Sequence, residues 1–170
     1  DIKIIYEDDD TLVIDKPAVI VVFPEGKTTE NTLVDYLIEK YPELKNVGES
    51  PRHGVVHRLD KDTSGVLLVA KSTESLKFLQ NQFINRNVEK KYIALATGLF
   101  KEGSGKIETL IGRSPQDPRK QKAYPIEKSQ ITNPKLQREA VTEYRILERF
   151  KDYTLLEVGI KTGRKHQIRC

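Results

Sequence analysis

Three short stretches of the chain gather side chains that can do chemistry. The first is His57-Arg58-Leu59-Asp60-Lys61-Asp62-Thr63-Ser64-Gly65, set between two apolar runs. A mostly polar segment in that setting is a loop at a sheet end, a common place for an active site. It supplies two carboxylates, two fixed cations and a histidine. A single aspartate in such a loop is usually a turn residue or an ion-pair partner. The second stretch is Lys90-Lys91-Tyr92, which opens an apolar strand. Tyr92 alternates with Ala94 and Ala96, so the three share a face. A tyrosine that buries its ring and keeps its hydroxyl at the edge is the plain alternative there. The third stretch, Lys161-Thr162-Gly163-Arg164-Lys165-His166-Gln167-Ile168-Arg169, holds Lys161, Arg164, Lys165, His166 and Arg169. It reads as an anion or phosphate patch, or as a solvated basic turn.

Other chemistries are poorly served. His53, His57, His166 and the single Cys170 do not have zinc-ligand spacing. Neither standard glycine-rich phosphate loop occurs, and no nucleophile-elbow serine is present. One cysteine excludes a disulfide scaffold. No apolar run approaches the ~20 residues of a spanning helix, and no signal peptide opens the sequence, so a cytoplasmic protein is expected. The 170 residues carry 29 Lys and Arg against 25 Asp and Glu, a net charge of +4. That fits one domain with a real core and a heavily charged surface. The chain starts at Asp1 and contains no methionine. It is read as a catalytic domain, residues 1–170, whose C-terminal part is missing and which has no accessory domain ahead of it.

The elements that must position these residues follow from periodicity. Ile2–Tyr6, Thr11–Asp15 and the apolar run Val19–Phe23 read as a β-meander. The acidic run Glu7–Asp10 is its first turn. Thr32–Tyr41 reads as a helix with Leu33, Val34, Leu37, Ile38 and Tyr41 on one face. Asn31 or Thr32 caps it and Pro42 stops it. Val55–Val56 and Val66–Ala70 are strands on either side of the first polar loop. Ser72 or Thr73 caps a helix to about Arg86, with Leu76, Leu79, Phe83 and Ile84 inward. Glu89–Thr97 is a strand. Residues 101–137, rich in Gly, Pro and basic side chains, read as long surface loops with short strands. Ala140–Arg149 and Tyr153–Lys161 form a β-hairpin. The order predicts an α+β fold, a mainly antiparallel or mixed β-sheet core with flanking helices and loops.

The three stretches, taken in order, carry a family resemblance. RHGVVHRLDKDTSGVLLVAKS, residues 52–72, closely resembles the signature of the RluA-type pseudouridine synthases. VEKKYIALATG (88–98) is similar to that family's second motif and KTGRKHQIR (161–169) to its third. YEDDDTLVIDKPA (6–18) is similar to the family's opening strands, and EAVTEYRILERF (139–150) fits its hairpin. There are departures. Val19 stands where the family typically has Gly, Phe23 where many members carry His, and Cys170 where the third motif usually continues Val-His.

The resemblance implies an enzyme that isomerises uridine in structured RNA, ribosomal or transfer, to pseudouridine. The N-glycosidic bond breaks, the uracil turns, and C5 bonds to C1′, with no cofactor, metal or nucleotide. RNA is the implied partner, membranes are not, and a monomer is expected. Asp60 maps to the essential carboxylate. An ionised aspartate there can stabilise or attack an electron-poor sugar carbon, or take a proton from the sugar. Arg169 maps to the arginine that pairs with it, where a bidentate guanidinium fixes both charge and direction. Tyr92 maps to the active-site tyrosine. Stacking on uracil is its safer role, since a tyrosine hydroxyl is a weak base near neutral pH. Arg58 maps to the residue that fills the space left by a flipped base. The plain alternative is an ion-pair partner within its loop. His57 either touches substrate or braces the loop. Asp62 and Ser64 read as loop-shaping residues, with Gly65 permitting the turn. Arg164 and Lys165, with Arg119, Lys120 and Lys122 of a second basic loop, are candidates for RNA backbone contacts. Two competing readings are a catalytically silent RNA-binding module on the same scaffold and another glycosidic enzyme using Asp60 and Asp62 as a pair.

Overall fold

The structure, a computed structural model, describes residues 2–24, 31–126 and 137–170. They fall into two compact units, Asp1–Asn87 and Val88–Cys170.

The first unit is built on a three-stranded antiparallel sheet in the order β1-β2-β3, with β1 Lys3–Glu7, β2 Thr11–Lys16 and β3 Gly65–Ala70. The period-two pattern of β2 puts Leu12, Ile14 and Lys16 on the buried face. Across the register Leu12 faces Val69, Ile14 faces Leu67 and Lys16 faces Gly65. Burying such aliphatic side chains stabilises the unit by ~1.5–3 kcal/mol each. Helix α1, Leu33–Lys40, adds Leu33, Val34 and Leu37 to this core. Thr32 caps it. Its hydroxyl accepts from the Asp35 N–H, and the Asp35 carboxylate accepts from the Thr32 N–H at 2.8 Å. Helix α2, Thr73–Ile84, is capped the same way by Ser72 and Ser75. Among its expected inward residues Leu76 is buried, but Ile84 is 74% exposed, because it ends the last turn and faces away.

The expected strand over Val19–Phe23 does not form. The segment turns at Val19, whose φ is +67°, and the Val21 and Val22 carbonyls accept from the Leu33 and Val34 N–H groups at 2.8 and 2.9 Å. Its polar backbone thus satisfies the start of α1, while Val22 and Phe23 are buried. The third strand of the sheet is β3 instead. Val55–Val56 is reduced to one bridge, Val55 to Val69. Pro42, expected to stop α1, opens a 3-10 turn over Pro42–Asn46.

The second unit is a five-stranded antiparallel sheet in the order β4-β8-β7-β5-β6. Its strands are β4 Lys91–Thr97, β5 Ser104–Arg113, β6 Gln121–Tyr124, β7 Gln137–Arg149 and β8 Tyr153–Ile160. Leu156, Val158 and Ile160 of β8 form its buried centre, with Tyr92, Ala94 and Ala96 packed against them. The face shared by those three β4 residues is the one the sequence predicts. The long loops expected over 101–137 are corrected in part. Residues 104–113 make a ten-residue strand, held by continuous pairing to β7 from Ser104–Arg145 to Gly112–Gln137. Residues 127–136 of that region lie outside the described residues. Both sheets are wholly antiparallel, so the α+β expectation is met in its antiparallel form.

Candidate functional site

The segment leading to Asp60 is fastened to the open edge of β3. The Ala70 N–H donates to the Gly54 carbonyl at 2.8 Å. Val55 bridges Val69, and the Leu68 N–H donates to Nε2 of His57 at 3.0 Å. The His57 ring also stacks on Phe83 of α2, with centroids 4.9 Å apart. These contacts tie His57 to β3 and to α2. The approach needs glycine at position 54, since a Cβ there would overlap the Ala70 carbonyl oxygen.

Past His57, Leu59 turns into the core and is 7% exposed, leaving Asp60 half-buried beside it. The Thr63 N–H donates to the Asp60 carbonyl at 3.1 Å, closing a turn. Gly65 re-enters β3 at φ +136°, a backbone shape that side chains disfavour.

Lys16, which no motif marks, reaches this loop from the end of β2. It is fully buried. Its Nζ donates to the carbonyls of Pro17 at 2.8 Å, Ile20 at 2.9 Å and Lys61 at 3.0 Å. Three donations use the three N–H bonds of an ammonium. Burial pushes its pKa below the ordinary lysine value, while the Asp62 and Asp60 carboxylates pull it back up. A buried cation thus sits within electrostatic reach of Asp60 and fixes the backbone of the next residue. The signal for it was the alternation Leu12, Ile14, Lys16.

In the second unit Tyr92 packs on the Leu156–Val158–Ile160 cluster, and so does Ile168, the neighbour of Arg169. The basic segment after β8 is held by Gln167, which is buried. Its Nε2 donates to the Val141 carbonyl at 3.1 Å and to Oγ1 of Thr142 at 3.0 Å. Its Oε1 accepts from the Thr162 hydroxyl at 2.8 Å and the Arg164 N–H at 3.0 Å. Thr162 in turn accepts from the Val141 N–H at 3.0 Å. Both side chains belong to the third motif, where residue type alone marks only the basic positions. Arg164 is half-buried, and its Nε donates to the Glu139 carbonyl at 2.7 Å. Lys165 and Arg169 are exposed. His166 adopts φ +57° at the start of the 3-10 turn Gln167–Arg169.

The other basic loop is the β5–β6 hairpin. Arg119 makes a two-pronged contact with Asp117, Nε to Oδ1 at 2.9 Å and an Nη to Oδ2 at 3.1 Å. That contact holds the Asp117 carboxyl below its usual range. Lys122 lies 5.7 Å from the Tyr124 ring centroid, and Lys120 is exposed. The structure thus gathers His57, Arg58 and Asp60 on one loop of the first unit. Tyr92, Arg164, Lys165 and Arg169 belong to the second, as do Arg119, Lys120 and Lys122. Among the described residues no helix is long and apolar enough to cross a membrane.

Comparison with known proteins returns a consistent set of similarities. Residues 10–170 match the family described as RNA pseudouridylate synthase. The chain is 40% identical over 169 residues to the uncharacterized RNA pseudouridine synthase YlyB of Bacillus subtilis (strain 168), covering 99% of this chain and 52% of that protein. It is 42% identical over 168 residues to ribosomal large subunit pseudouridine synthase D of Xanthomonas campestris pv. campestris, covering 99% and 46%. Among solved structures, human RNA pseudouridylate synthase domain containing 1 superposes with a TM-score of 0.75 at 27% identity, covering 99% of this chain and 63% of that one. The chain spans about half the length of the curated relatives it matches.

Proposed function

The chain belongs to the RNA pseudouridylate synthase family, and we propose that the protein isomerises uridines in structured RNA to pseudouridine. Ribosomal RNA is the first substrate class to examine, because relatives from Xanthomonas and Nitrosomonas are named for the large ribosomal subunit. Transfer RNA is the second. The two units act as one catalytic domain, in the cytoplasm, as a monomer and without cofactor or metal.

In this reading Asp60 is the catalytic carboxylate and Arg169 the guanidinium that pairs with it. Tyr92 stacks on the uracil. The target nucleotide leaves its stack, which costs a few kcal/mol, and Arg58 fills the gap. His57 holds the Asp60 loop close to the substrate. Arg164, Lys165, Arg119, Lys120 and Lys122 contact RNA phosphates. The C1′–N1 bond breaks, C5 bonds to C1′, and the C5 hydrogen leaves to solvent while N1 gains a proton.

The observation that carries the reading is the anchoring of the Asp60 loop. Its neighbours are held by the burial of Leu59, by the Lys16–Lys61 hydrogen bond and by the bond from Leu68 to His57. Preorganisation of that kind is what a charge-stabilising carboxylate requires.

The test is tritium release from RNA labelled at uridine C5, using the intact protein and its Asp60→Asn variant on total RNA. Release by the parent and none by the variant, with RNA binding retained, is the expected result. No release from any RNA with binding intact would replace the isomerase with a silent RNA-binding module.

A further inference from the structure

Phe23 is 6% exposed, and two guanidinium groups lie over its ring. Cζ of Arg52 is 5.0 Å from the ring centroid and Cζ of Arg58 is 5.5 Å from it. Both arginines are exposed residues, although the ring beneath them is buried. The backbone of Arg52 is fixed on both sides. Its N–H donates to the Glu49 carbonyl, and its own carbonyl accepts from the Val55 N–H, each at 3.0 Å. Arg58 directly follows His57, which is itself tied to Leu68. Two long cationic side chains thus leave one anchored segment and meet on one aromatic platform.

That geometry has a chemical consequence. An aromatic ring attracts a cation through its face but does not neutralise it. The exposed Arg52 guanidinium therefore keeps its charge at the surface of the segment that leads to the Asp60 loop. Arg52, exposed over the ring, offers N–H donors to an acceptor, and its planar fork suits a phosphate. Holding the side chain in place beforehand also reduces the entropy lost when an anion is gripped.

We propose that Arg52 is an RNA phosphate contact, held ready beside Arg58 on the ring of Phe23. The group it recognises is a phosphodiester of a nucleotide near the target uridine. This rests on the reading of RNA as substrate and adds to it the residue that opens the first motif and a platform, Phe23, outside all three.

The experiment measures binding of the intact protein to unmodified ribosomal and transfer RNA transcripts across a range of KCl concentrations. Arg52→Ala is expected to weaken binding about tenfold at low salt and to lower the slope of log affinity against log salt by about one, the signature of one lost phosphate contact. Arg52→Lys keeps the charge and is expected to keep the slope. Phe23→Leu is expected to weaken binding about threefold with the slope unchanged, because the charge remains but is no longer held in place. Arg52→Gln, with a similar stem, gives the same reading of the slope should the alanine variant fold poorly. An unchanged slope in both neutral variants would overturn the proposal and leave Arg52 a structural residue. Tritium release by the parent protein separates the two levels. Release with an unchanged slope sinks this proposal alone. A lowered slope without release sinks the isomerase reading and keeps the phosphate contact.

Discussion

Nζ of Lys16 lies 3.0 Å from the carbonyl oxygen of Lys61, so the end of β2 grips the residue that follows Asp60. The ammonium also holds the Pro17 and Ile20 carbonyls, which makes it the knot between two loops of the first unit. Lys16→Met keeps most of the stem and removes all three donors. Each carbonyl left without a partner costs about 1–3 kcal/mol, partly offset because a cation no longer has to be buried. The expected net loss is about 3 kcal/mol in urea unfolding, with tritium release reduced more than RNA binding. A variant as stable and as active as the parent would show that the Asp60 loop does not depend on this contact.

Val19 occupies the left-handed region at φ +67° with 73% of its surface exposed. A β-branched residue is strained there, by about 1–2 kcal/mol or more, and its side chain gains little packing in return. This is the position where the resemblance expects glycine, and the backbone supplies the reason. Val19→Gly relieves the strain, while the freer unfolded chain takes back about 0.5–1 kcal/mol. The variant is expected to be more stable by about 1 kcal/mol in thermal or urea unfolding. A destabilised variant would mean that the turn tolerates valine without strain.

These two residues also mark how far sequence reasoning reaches. Local signals were legible. Asn31 or Thr32 and Ser72 or Thr73 announce the two helix starts, and Thr32 and Ser72 are the caps, because a cap is a contact over three residues. The Tyr92–Ala94–Ala96 face was visible because a strand repeats every two. Non-local determinants were not. The run Val19–Phe23 is apolar without a period, and only the N-terminus of α1 gives its carbonyls a use. Strand β5 hides behind glycines and charges, and its partner β7 lies some thirty residues further on. Gly105 reads as a breaker, yet a Cβ there would meet the Tyr144 hydroxyl at 2.7 Å. At the site the motif loop and its aspartate were plain from residue types. The supports were not, because Lys16 finds Lys61 forty-five positions away and Gln167 finds Val141 twenty-six away.

Gln167 permits a similar test in the second unit. Its amide donates twice and accepts twice, and every one of those contacts fixes the segment that carries Arg164, Lys165 and Arg169. Gln167→Glu is nearly isosteric but has no donor when ionised, and it sets a carboxylate against the Val141 carbonyl. One carboxylate oxygen keeps the Thr162 and Arg164 donors, but the other faces acceptors, and a buried charge paired on one side only costs several kcal/mol, so a loss of about 3 kcal/mol is expected in thermal unfolding. The segment should open first, which limited trypsin digestion reads as faster cleavage after Arg164, Lys165 and Arg169. Unchanged cleavage there, with unchanged stability, would show that the basic segment is held by other contacts.

The pH dependence of the first unit should carry a signature of Tyr41, Glu7 and Lys71. The Tyr41 hydroxyl donates to Glu7 Oε2, and Lys71 Nζ donates to Glu7 Oε1, both at 2.9 Å. Burial first, and then the bond to Glu7, pushes the Tyr41 hydroxyl up to about 12. The hydrogen bond from Lys71, then that from Tyr41, holds the Glu7 carboxyl below its usual value. The bond to Glu7 raises Lys71. A depressed carboxyl stabilises the fold above its unfolded value of 4.5, and this is lost as pH falls through its lower folded value. A raised tyrosine stabilises the fold below its unfolded value of 10.0, and this is lost as pH rises towards about 12. Lys71 adds to the alkaline loss with the same sign. The urea midpoint should therefore fall on both sides of a neutral plateau. Tyr41→Phe should flatten the alkaline side between the unfolded and folded tyrosine values, and Glu7→Gln should weaken both arms at once. If Tyr41→Phe followed the parent curve through the alkaline range, the Tyr41–Glu7 bond would contribute nothing to holding α1 against β1.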